Sequence, residues 1–200
     1  MYEDDMIEDR YLLNFTDLEK RRIKRMHNEK LNLMRRGEIV PHSLLDIRYT
    51  LNRIYFDDPR VTSFTLGPRD NLNIGDVIAI RMGVAFEENS NCQDVHLENV
   101  GLTDFGAGLI LKTLKKKSLK TLSLRGNDKL TDITFDQLDQ LLSEPENRWE
   151  KVYLDDGRMS PKMRQRLLSH PNVVLGAEPK HIRIAQQTPV RPISAEQHTL

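Results

Sequence analysis

Four times along the chain, an apolar strand pattern gives way to a short turn and then to a run with helical spacing. The pattern has the form L-x-x-L-x-L. Its anchors are Val61, Phe64 and Leu66; Cys92, Val95 and Leu97; Leu119, Leu122 and Leu124; and Trp149, Val152 and Leu154. The last anchors lie 31, 27 and 30 residues apart. A strand and a helix of that length cannot bury an apolar face alone, so successive units must stack on one another. The spacing therefore predicts an α/β fold: a short solenoid with parallel strands on one side and helices on the other.

The helical runs supply the other half of the core. Ile78, Met82, Ala85 and Phe86 share a face in the first unit, and Ala107, Ile110, Leu111 and Leu114 in the second. Phe135, Leu138, Leu141 and Leu142 do so in the third. Gly106 and Gly108 lower helix propensity but allow a neighbouring helix to come close. Ser160 followed by Pro161 reads as the start of a last helix, and Val173-Val174-Leu175 as a terminal strand.

The first strand needs a cover, and two helices precede it. Thr16 and Glu19 form a capping box, opening a helix that is expected to run to about Arg36 and stop at Gly37. Leu18, Ile23, Met26, Leu33 and Met34 make its thin apolar stripe. Ser43 caps a second helix, with Asp46 in its first turn and Leu44, Ile47, Leu51 and Ile54 on one face. Four segments follow: an acidic, disordered start at 1–14, a helical N-terminal region and cap at 15–56, the repeats at 57–176, and a disordered tail at 177–200. That tail holds three prolines and no periodicity.

Lysine plus arginine equals aspartate plus glutamate, at 30 each, so nothing in the whole-chain charge points to nucleic acid. The single cysteine, Cys92, cannot close an intramolecular disulfide. With no secretory leader pattern and no long apolar run for a membrane span, the expectation is a cytoplasmic, monomeric protein.

The run Leu119 to Asn127 followed by Leu130-Thr131-Asp132 resembles the ribonuclease-inhibitor type of leucine-rich repeat, as does Val95 to Asp104. Asp58-Pro59 leading into Val61 to Leu66, and Ala85 to Asn91 leading into the second strand, are similar to the leucine-rich domain of tropomodulins and leiomodins. The resemblance spans about residues 57–175 and implies a cytoskeletal protein with actin as a possible partner. Two departures stand beside it. The inward asparagine after the strand occurs only as Asn127, and residues 1–56 do not match that family's actin- and tropomyosin-binding helices.

No residues assemble a catalytic, cofactor or metal-binding pattern, so the expected role is a non-enzymatic protein-binding module. The alternative is an effector or substrate-receptor subunit whose repeats select a target. Alternate strand residues face away from the core, which nominates Thr65, Asp94, His96, Ser123, Lys151 and Tyr153 as a concave binding face, alongside Ser63 and Thr121. The secondary candidate is the basic first helix, through Arg21, Arg22, Lys24 and Arg25. Its other reading is a solvated charged face.

Overall fold

The computed structural model describes residues 9–36, 43–67 and 75–176. After a 3₁₀ turn at Asp9–Leu12, the elements are α1 (Asp17–Arg35), α2 (Leu44–Tyr55), β1 (Ser63–Leu66), α3 (Gly75–Ala85), β2 (Asp94–Leu97), α4 (Asp104–Leu114), β3 (Thr121–Ser123), α5 (Asp132–Leu142), β4 (Lys151–Leu154), α6 (Pro161–Leu168) and β5 (Val173–Leu175). The five strands form one parallel sheet in strict chain order. The chain is thus α/β. No helix among the described residues is long and apolar enough to cross a membrane. The expected helix stop at Gly37 and the tail at 177–200 lie outside the described residues, as does the side chain of Met34.

All twelve strand anchors are buried, and the register places Phe64 beside Val95, Val95 beside Leu122, and Leu122 beside Val152. Each fully buried leucine contributes roughly 1.5–3 kcal/mol relative to exposure. Behind the sheet, α2 to α6 pack each on the next. The apolar faces read for α3, α4 and α5 are buried, with Leu142 half-buried at the edge. Trp149 is an anchor too, and its indole Nε1 donates to the Lys117 carbonyl at 3.0 Å.

Polar staples fix the offset between units. Asp76 accepts from the Thr103 backbone N–H at 3.0 Å and from its hydroxyl at 2.6 Å. One unit on, Asp104 accepts from Thr131 at 2.8 and 2.7 Å. Asp132 then accepts from the Ser160 N–H at 3.0 Å. Each carboxylate near a helix N-terminus therefore also caps the entry of the following helix. Gly106 makes room for the first staple, because a Cβ there would lie 2.1 Å from an Asp76 carboxylate oxygen.

Asn127 ties two strand ends together. Its Oδ1 accepts from the N–H groups of Val100, Gly101 and Leu102, while Nδ2 donates to the Leu97 and Leu124 carbonyls at 2.7 and 2.8 Å. Gly126, at φ +70°, brings this turn against Asn99.

The N-terminal helices follow a different plan. Both capping boxes form, and α2 buries Ile47, Leu51 and Ile54 against the sheet-bearing core. Its other side, through Tyr49, joins a second small core with Tyr11, Leu12, Phe15 and Ile23. The acidic, disordered start read for 1–14 is therefore corrected at residues 9–14. Tyr11 and Leu12 are fully buried, held by apolar contacts and by an arginine cage. Asp58 anchors that cage, accepting from Arg53 Nε at 2.7 Å and Arg60 Nε at 2.9 Å. Arg60 also reaches the Tyr11 hydroxyl. Next to this cage, the Asp57 carboxylate accepts from Asn89, Ser90 and Asn91 at 2.8–3.0 Å. A further correction concerns Leu44 and Leu18, which helical spacing places on buried stripes. Both are exposed.

Candidate functional site

Strand alternation builds the site. Phe64 and Leu66 point toward the helices while Ser63 and Thr65 point away, and β2 and β4 repeat the arrangement. Parallel pairing then lines up the outward residues in two rows across the sheet. One row is Ser63, Asp94, Thr121 and Lys151; the other is Thr65, His96, Ser123 and Tyr153. All six residues nominated from sequence thus share one face. Thr65 and Lys151 are exposed, and Asp94, His96 and Tyr153 are half-buried.

Ser123 departs from the expectation of an accessible contact, since only 1% of it is exposed. Its hydroxyl donates to Glu98 Oε1 at 2.7 Å, and the glutamate belongs to the next outward position along β2's edge. His96 Nδ1 lies 3.9 Å from the same oxygen. His96 and then the Ser123 hydroxyl hold the Glu98 carboxyl below its usual range, against the opposing effect of burial. The serine hydroxyl is directed to the carboxylate rather than to the imidazole, so these three groups do not form a nucleophile–base relay.

Arg125 completes the cluster, with its guanidinium carbon 4.7 Å from the Tyr153 ring centroid. Such a cation–π contact contributes roughly 0.5–1 kcal/mol at an exposed site. Arg125 Nε and Nη2 are covered and have no hydrogen-bond partner among the described residues. The face therefore carries a guanidinium against the Tyr153 ring on β4 and, two strands away across Ser123, the His96 imidazole beside the Glu98 carboxylate. Sequence alternation found His96 and Tyr153 but stopped at the strand ends. Glu98 and Arg125 continue the same period one step further, and that continuation was the available signal.

The second candidate divides. Arg21, Arg22 and Arg25 border an open groove of about 980 Å³ between α1 and α2. Lys24 lies elsewhere, its Nζ 3.4 Å from Asp9 Oδ1. Among the described residues no cluster of His, Cys, Asp and Glu could hold a metal ion. Burial pushes the Cys92 thiol up to about 12, so it stays protonated and unreactive at neutral pH. No protein-family model matches this chain, and no curated protein matches it.

Proposed function

We propose that this chain is a short leucine-rich-repeat solenoid of the ribonuclease-inhibitor type, and that it works as a non-enzymatic adaptor or regulator by binding another protein on the open face of its sheet. One observation carries this reading: the outward side chains of four adjacent strands form two aligned rows, one of which ends at Tyr153 with Arg125 against its ring. Tyrosine and arginine are enriched where binding energy concentrates. A rigid parallel sheet presents them with little ordering cost. A cytoskeletal version, with actin as partner, rests on the resemblance of Asp58 to Leu66 and Ala85 to Asn91 to the tropomodulin domain.

Co-sedimentation with filamentous actin, and the rate of pointed-end growth, test the cytoskeletal version. Binding that weakens in a His96→Ala/Tyr153→Ala variant supports both the version and the face. No effect on either assay removes actin and leaves the general module. The substrate-receptor reading draws support from the separate core around Tyr11, Phe15 and Ile23, which gives α1 a foundation independent of the sheet. Two partners that depend on different halves of the chain in affinity purification would favour it.

A further inference from the structure

The groove between α1 and α2 combines features that the sheet face lacks. Leu18, Arg21, Arg22 and Arg25 are spaced 3, 1 and 3 residues apart, which places them on one stripe of α1. Leu44, Leu45 and Arg48 face them from α2. Leu18 is 70% exposed and Leu44 57% exposed, although both occupy positions where the helical pattern calls for burial. Together with Leu45 they form an apolar floor. The rim is strongly basic, with four arginines around it. The single acidic lining residue, Glu19, already accepts from Arg48 Nη1 at 2.6 Å. Arg21, Arg22 and Arg25 are exposed and form no ion pair among the described residues.

Floor and rim together specify an occupant. An apolar floor between two helices takes the apolar face of a third helix, through anchors at i, i+3, i+4 and i+7. Arginines on the rim call for carboxylates next to those anchors, where bidentate pairing is strong. We propose that the α1–α2 groove is a docking site for an acidic amphipathic helix of a partner protein. Its leucine-like anchors lie on Leu18, Leu44 and Leu45, and its glutamates or aspartates pair with Arg21, Arg22 and Arg25. This site is separate from the sheet face and does not depend on what binds there. Lys24, turned toward Asp9, takes no part.

The probe is a fluorescent synthetic helix about 14 residues long, a length at which isolated helices begin to hold. It carries leucines along one face and glutamates elsewhere, and is titrated against the full chain by anisotropy. A control peptide has the same composition with its leucines scattered around the helix. The expected result is saturable binding of the patterned peptide at least about tenfold tighter than of the control, weakening as salt rises. Arg21→Ser/Arg22→Ser/Arg25→Ser and Leu18→Gln/Leu44→Gln each reduce it by about tenfold or more. These side chains are exposed, so an unchanged melting temperature confirms that the variants fold. His96→Ala/Tyr153→Ala leaves peptide binding as it was. Equal binding of the two peptides, or indifference to the leucine variant, overturns the proposal in favour of plain charge attraction. A dimer that dissociates in the same variants would show that a second copy fills the groove. A large gain in peptide affinity on neutralising Glu3, Asp4, Asp5 and Glu8 would show that the chain's own acidic start fills it. Either result overturns the assignment to a partner.

Discussion

In the βα units every strand anchor is buried, from Val61 to Leu154, whereas in the N-terminal helices Leu18 and Leu44 stand open to solvent although they too lie on an apolar stripe. The polar groups differ as well. At the helix entries between units, uncharged donors from Thr103, Thr131 and Ser160 meet single carboxylates, and an arginine joins units only at the end, where Arg166 reaches Asp136 and Asp139. Around α1 and α2, arginines do the joining: Arg53 and Arg60 to Asp58, and Arg48 to Glu19 with its guanidinium 4.6 Å from the Phe15 ring centroid. The lesson is that periodicity marks a face that must be covered, while only stacking within the same chain guarantees the cover. The βα units provide it for one another. The N-terminal pair has it on one side only.

The largest expected effect tests that contrast at its apolar extreme. Leu122 is fully buried between Val95 and Val152. Leu122→Ala should cost roughly 2–5 kcal/mol in chemical denaturation, by lost burial and the cavity left behind. Leu18→Ala should stay within about 0.5 kcal/mol. A comparable loss at Leu18 would mean that its stripe is part of the core after all, and the contrast would fail.

Next in size is the arginine cage. Burial opposes the charge on Asp58, but hydrogen bonds from Arg60 and Arg53 outweigh it and hold the carboxyl far below the usual carboxylate range. In the unfolded chain an aspartate titrates near about 3.9. Because the folded-state value is the lower one, its stabilisation is in place above that pH and is lost as pH falls toward the folded-state value. Asp58→Asn should destabilise the protein at neutral pH by roughly 3 kcal/mol, the low end for a broken buried pair, since both arginines reach solvent. The gap between variant and wild type should narrow below about pH 4. Melting curves at a series of pH values check this, and a gap that stays constant would deny Asp58 its role.

Much of this fold was legible from residue spacing, and the failures share a physical cause. Strands and helix faces follow from periods of 2 and 3.6, which local geometry fixes. The exposure of Leu44 depends on whether anything covers it, and helical spacing carries no such information. Ser123 fell on the outward side of its strand as expected, yet it is buried, with its hydroxyl donated to Glu98 just past the end of β2. The Asp76, Asp104 and Asp132 staples went unread because an acid at a helix start is already explained by its own helix dipole. Their second role, reaching the next unit's Thr103, Thr131 or Ser160, exists only after stacking.

Asn127→Ala follows, with an expected loss of about 1–3 kcal/mol. Three backbone N–H groups, at Val100, Gly101 and Leu102, would lose the acceptor they share in a buried turn. Hydrogen exchange should localise the effect, speeding at those amides more than at the α5 amides. Uniform acceleration would instead mean that the turn unfolds only with the whole domain.

The smallest expected change in stability separates the two candidate surfaces. His96→Ala/Tyr153→Ala removes two half-buried side chains from the open face, so its stability should fall by no more than about 1 kcal/mol, chiefly the lost Tyr153–Arg125 contact. Any partner held by that face should nonetheless bind more weakly, because the aromatic ring that carries the Arg125 contact is gone. Salt then sorts the mechanisms. Exposed charges are screened beyond about 8 Å at physiological ionic strength, so binding governed by Arg21, Arg22 and Arg25 should fall steeply as salt increases. Binding centred on Tyr153 should respond little. A partner whose affinity is insensitive to the double variant but collapses with salt belongs to the helical groove, and the sheet face would then lose its claim as that partner's site.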